Sequence, residues 1–221
     1  MPLFNSSDYE NLHPELEQVP SGMTDNSYTI LMYHMYDAWI AGVVENSPNS
    51  RAEIRAAFEL APELWTRVAK VHPEDDPRLT FLLVATGSLA QLLQSVHIDS
   101  RAAVLKHVHE CLRSHLSDEE QPAYEPLLQP FCDATSVFAE DSDEASLLFM
   151  MRVMDLVHDE DGCVDDNNTV RVAQLATVGA VGILAGSGDP SVRDQLLGAL
   201  RTHVEAVAAE PVLPYFEGDD E

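Results

Sequence analysis

Between Leu79 and Ile98 the chain carries no Asp, Glu, Lys or Arg, although 23% of its 221 residues are charged. The stretch follows Asp75-Asp76, with Pro77 at a first helical position, where the missing N–H of proline costs nothing. Leu79, Phe81, Leu82, Leu83, Val84, Leu89, Leu92, Leu93 and Val96 fall all round a 3.6-residue helix. A helix apolar on every side has to be covered on every side. About 20 residues also suffice to cross a bilayer. Here, however, Thr80, Thr86, Ser88, Gln91, Gln94 and Ser95 would sit in hydrocarbon, with no Lys/Arg-rich flank or aromatic belt to set an orientation. The expectation is a core helix and no membrane span.

A second uncharged helix is expected from Asn168 or Thr169, its charge-free part running from Val172 to Gly186. Around these two, amphipathic segments alternate with short punctuation. Thr24 or Asp25 caps a nearly apolar helix to about Glu45, whose interior ionisable groups are His34 and Asp37. Ser50-Arg51-Ala52-Glu53 is a capping box opening a helix that Pro62 interrupts and that continues to His72. Asp99 or Ser100 caps a helix to about Leu116 with Val104, Leu105, Val108, Cys111, Leu112 and Leu116 as its core stripe. A connection this short predicts an antiparallel hairpin with the central helix. Ser117 to Glu120 is a second capping box, but Pro122, Pro126 and Pro130 predict irregular backbone to about Pro126, then a helix to Ala139. Asp141 or Ser142 caps a helix to about His158 whose methionines, Met150, Met151 and Met154, read as core filler. Asp189-Pro190 opens the last helix, to about Ala209. No segment alternates at period two, so no strand is expected.

The fold class is therefore all-α: a compact bundle of seven to eight helices, with 77–98 and 169–186 innermost. A short α-solenoid of helix pairs is the alternative. Residues 1–23 read as an arm packed on the body or on a neighbouring subunit, 24–210 as one helical domain, and 211–221 as an acidic tail. The N-terminus has no basic region followed by an apolar block, so no signal peptide is expected. Cys111, Cys132 and Cys163, odd in number and without a CxxC, suit free thiols in a reducing, intracellular setting.

The net charge of −26 argues against direct nucleic-acid binding, which needs clustered Lys and Arg. Its distribution is uneven. Residues 51–113 balance eight basic against eight acidic residues, whereas 114–170 set fifteen acids against Arg152 alone. Adaptation to a salt-loaded cytoplasm would coat the whole surface, and the ratio of ten Arg to two Lys suits it. A local acidic face would instead meet a basic protein partner. Asp118, Glu119 and Glu120, with Asp159, Asp161, Asp165 and Asp166, are the candidate contact residues.

Chemistry is sparser. His107, Cys111 and His115 lie at i, i+4 and i+8, and imidazole and thiolate are zinc ligands. Three ligands along one straight helix cannot all reach one ion, so a site would take a pair plus donors such as His34, Asp37 or His97. Asp159-x-Asp161-Gly162 suggests a calcium loop. Aligning Gly162 with its turn glycine, however, puts Val157 and Asn168 at end positions that need carboxylates. Gly179, Gly182, Gly186 and Gly188 lie in or at the end of a helix and form no phosphate loop. The first pair suits close helix approach, the second a helix stop. No motif calls for a cofactor. The expected function is a non-enzymatic interaction or assembly protein, an accessory or virion component, with homo-oligomerisation open. A metal- or ligand-binding helical enzyme and an acidic nucleic-acid mimic are the alternatives.

Overall fold

A computed structural model describes Arg55 and residues 76–159, 161–186 and 190–209. The expected arm, the helix over 24–45 with His34 and Asp37, Glu160, the Asp189 cap and the acidic tail lie outside the described residues. Six α-helices are found among those described: α1 (Pro77–Ser95), α2 (Ile98–Ser114), α3 (Gln121–Thr135), α4 (Ala145–Val157), α5 (Asp166–Gly186) and α6 (Pro190–Ala209). A 3-10 turn, Ser136–Ala139, follows α3, and Arg55 is itself helical, as its capping box predicts. The described residues contain no strand, only an isolated bridge between His158 and Val164. The chain is all-α.

The two charge-free segments are the inner helices. In α5, thirteen consecutive residues from Val172 to Leu184 are buried, and α1 buries Phe81, Leu82, Val84, Ala85, Leu89, Leu92 and Leu93. The two pack on each other more extensively than any other pair. Gly179 permits the approach: a Cβ there would stand 3.2 Å from both Leu89 methyls and 3.4 Å from Val108 Cγ1. The buried threonines of these helices bond back to the carbonyl four residues earlier, so their hydroxyls are satisfied inside the core. Thr86 donates to the Leu82 carbonyl at 2.6 Å and Thr177 to the Ala173 carbonyl at 2.9 Å. Gln174 accepts from the Tyr124 hydroxyl at 2.5 Å, and burial pushes the Tyr124 phenol up to about 12. By length and apolar composition α5 also matches a membrane span, but 78% of its most apolar window is covered by the rest of the fold.

Three local expectations change. First, α1 ends at Ser95, and α2 begins at Ile98 with His97, not Asp99 or Ser100, at its N-cap. The His97 ring accepts the Asp99 amide at 3.4 Å. The extended backbone of Val96 and His97 turns the chain away, so α1 and α2 barely touch and each packs on α5 in place of the expected hairpin. Second, α3 is helical from Gln121, through Pro126 and Pro130. The three prolines recur every fourth residue on the exposed face. Pro122 lies in the first turn, where an N–H has no helical partner, and the missing N–H groups of Pro126 and Pro130 fall opposite the carbonyls of Pro122 and Pro126, which water can reach. Their rings stay out of the core, where Tyr124, Leu127, Phe131 and Cys132 pack. Third, α5 begins at Asp166. Asp165 caps it by accepting the Asn168 amide at 2.7 Å, replacing the expected start at Asn168 or Thr169.

The solenoid alternative fails on contacts. A solenoid unit touches only its neighbours, whereas α1 packs against both α5 and α6. Phe131, Phe138 and Phe149 close the other end of the core, with ring centroids 6.1 and 5.5 Å apart in edge-on geometry.

Candidate functional site

The acidic stretch lies on the outside. Of the fourteen described acids between 114 and 170, all but Glu120 and Asp165 are exposed. Arginines from the balanced part of the sequence reach across to it. Arg55 grips Glu120 with two hydrogen bonds, 2.7 and 2.9 Å long, and Arg78 pairs with Asp166. Arg101 meets Asp141 at 3.3 Å while donating to the carbonyls of Val96, Gln94 and Glu140. This last side chain ties the C-terminal end of α1, where orphan carbonyls collect, to the loop before α4.

These contacts sort the sequence candidates. Glu120 is structural. Besides holding Arg55 it accepts the Ser117 amide and hydroxyl, both at 2.9 Å, which is the reach-back half of the capping box. The Arg55 hydrogen bonds hold its carboxyl down to about 2 against an ordinary 4.5, with Ser117 adding and partial burial opposing. Asp165 is the α5 cap. Asp159 accepts the amides of Asp161 and Cys163, at 3.0 and 2.8 Å, around a turn in which Gly162 has φ 77°. That left-handed backbone is why a glycine stands there. Asp118, Glu119 and Asp161 remain exposed, without an ion pair among the described residues.

The histidine and cysteine row is partly brought together. His107 Nε2 lies 3.5 Å from Cys111 Sγ and 3.1 Å from the Gly182 carbonyl, which it bonds as a donor. Gly186 makes room for that ring: a Cβ there would be 2.3 Å from His107 Nε2. Its role is close approach, beyond the helix stop the sequence suggested. His115 points its Nδ1 at the Cys111 carbonyl, 3.2 Å away, and burial lowers its pKa. Burial likewise raises the Cys111 thiol. His97 is exposed at the start of α2. Among the described residues no group of three His, Cys, Asp or Glu side chains could hold a metal ion.

The sequence reading missed two features. The arginine ties could not be seen, because they span separations of 40 to 65 residues in Arg101–Asp141 and Arg55–Glu120. The other is the outer face of α4: Met150 and Met154 pack against the core as expected, but Met151 does not. Ala145, Phe149, Val153 and Val157 are buried, while Leu147, Leu148 and Met151 are 63%, 40% and 57% exposed. The signal was available: apolar residues on two opposite stripes of one short helix, with Glu144 and Asp155 set beside only one of them.

No family model, curated protein or solved structure matches the chain.

Proposed function

We propose that the protein is a non-enzymatic interaction or assembly protein that presents the acidic surface of residues 114–170 to a basic protein partner. The observation that carries this reading is the exposure of twelve of its fourteen described acids, most of them without a described cation beside them. Exposed like charges repel one another, and an approaching basic surface relieves that repulsion while speeding encounter. Asp118, Glu119, Asp161 and Asp166 are its contact residues, whereas Glu120, Asp159 and Asp165 hold the local backbone in shape. An accessory or virion component of an intracellular assembly is the role we favour. We further propose that helices over 24–45 and 50–72 complete a single domain of seven to eight helices.

The test is the mass of the native complex from the protein's own cells, at about 0.1 M and about 1 M salt, where the screening length falls from about 10 to about 3 Å. A complex that dissociates at high salt, and that Asp118→Asn/Glu119→Gln weakens, supports the reading. A mass equal to the free chain at both salt concentrations, or a complex indifferent to salt, refutes it.

A further inference from the structure

Helix α4 is apolar on two sides and covered on one. Its inner stripe, Ala145, Phe149, Val153 and Val157, repeats every fourth residue and is buried to 1% exposure or less. Half a turn away, Leu147, Leu148 and Met151 stand 63%, 40% and 57% exposed, the largest group of exposed apolar side chains on any described helix. Three carboxylates flank this outer stripe. Asp155 follows Met151 by four residues, a spacing at which side chains on one helix are neighbours. Glu144 is the N-cap residue, four before Leu148, and Asp143 lies in the turn just ahead of it. All three carboxylates are exposed, with no ion pair among the described residues. The one cation at the margin, Arg152, donates to the Asp133 carbonyl at 3.1 Å.

We infer that the outer face of α4 is a docking site for a basic amphipathic helix of a partner protein. The inference rests on the acidic-face reading and deepens it by naming the anchor and the form of the partner. Apolar anchors ringed by acids match a ligand helix with Leu-type residues on one face and Lys or Arg flanking them. Methionine suits the role, because its unbranched chain adapts to the groove a ligand helix presents. The carboxylates attract and orient the ligand. Desolvation of Leu147, Leu148 and Met151 supplies the hold.

The test uses the full chain and a synthetic peptide of about 18 residues, with Leu at helical i, i+3, i+4 and i+7 spacing and Lys elsewhere. A Glu-for-Lys copy and a copy with its Leu positions scattered are the controls. Binding is read by fluorescence anisotropy over a range of salt concentrations. The Lys peptide binds and both controls do not. Leu147→Ser/Met151→Ser weakens binding by roughly tenfold or more, the loss expected for two buried apolar anchors. Asp143→Asn/Glu144→Gln/Asp155→Asn weakens it by about threefold and flattens its salt dependence. All five positions are exposed, and unchanged helical circular dichroism verifies that the variants fold.

Salt-sensitive binding that the α4 variants leave untouched overturns the α4 assignment and leaves the acidic-face reading standing. Equal binding of the Glu and Lys peptides overturns both. Absence of Lys-peptide binding overturns the α4 site, while the acidic-face reading still answers to the native-mass measurement. A native dimer that Leu147→Ser/Met151→Ser converts to monomer makes the stripe a self-contact, which also overturns the basic-helix proposal.

Discussion

Helix α5 meets protein on every side, with Val172 to Leu184 buried without interruption. Helix α4, as rich in apolar residues, meets protein on one side and leaves Leu147, Leu148 and Met151 on the other. Hydropathy alone does not separate them; side-chain size and the placement of charge do. The buried run of α5 is built largely from Ala, Gly, Val and Thr, so neighbouring helices come close, as Gly179 does against Leu89 and Val108. Its one large polar group, Gln174, is bonded to Tyr124. The outward stripe of α4 carries long Leu and Met side chains with Glu144 and Asp155 beside them. A carboxylate left unpaired within an apolar stripe opposes burial of that stripe by the chain's own core. Apolar all round therefore means covered all round only when no charge interrupts the circle.

The hardest way to break this contrast is to shorten one leucine in α5. Leu175 is fully buried, and Leu175→Ala should cost about 2–5 kcal/mol, the range for emptying a packed leucine site. A urea titration would show the midpoint falling with the slope unchanged. A cost below about 1 kcal/mol would mean that α5 is not a close-packed pillar.

That the inner pair could be read from sequence, while much around it could not, has a physical basis. A helix with no charge over 79–98 or over 172–186 has no face suited to water, because apolar side chains fall all round it and its polar ones are uncharged and few. The core stripe of α2 was legible for a related reason: Leu105, Val108, Cys111, Leu112 and Leu116 are buried at the expected helical spacing. Pro122, Pro126 and Pro130 misled because proline is a local veto only when its ring or its missing bond lies inward, and here all three face solvent. The caps at His97 and Asp165 lie two to four residues before the expected ones because several neighbouring polar side chains are equally able to accept an amide. The candidate acids were legible as a group and not one by one. Composition placed them on the surface, but only the fold distinguishes Glu120, gripped by Arg55, from Glu119 beside it.

Acid should weaken the molecule in two stages. His109, His115 and His203 have pKa values lowered below 6.5, in each case chiefly by burial. The unfolded chain therefore takes up these protons first, and stability begins to fall as the pH drops below about 6.5. The second stage belongs to the tie between the acidic stretch and Arg55. Glu120 has its folded pKa depressed, so its contribution is complete above about 4.5 and is lost as the pH falls toward about 2. With its side chain a quarter exposed, this charge-assisted contact contributes about 1–3 kcal/mol. Urea midpoints taken from pH 7 down to 2 should show both stages, and Glu120→Gln should remove the lower one. A variant as acid-sensitive as the parent below pH 4.5 would assign that loss to other carboxylates.

The smallest expected effect is the sharpest test of the difference between the two helices. Leu147→Ala removes the same atoms as Leu175→Ala, from a side chain of the same type, in a helix as apolar by composition. At 63% exposure, however, those atoms already meet water in the folded state as they do in the unfolded one. Little transfer free energy separates the two states, no cavity forms, and alanine is the better helix former. The urea midpoint should therefore stay within about 0.5 kcal/mol of the parent. A loss above about 1.5 kcal/mol would require something to cover this face within the folded chain, and α4 would then belong with α5 as a helix enclosed on all sides. A neutral result, set against the loss from Leu175→Ala, would place the anchor residues of α4 outside the folding core, where their exposed surface is free to act in binding.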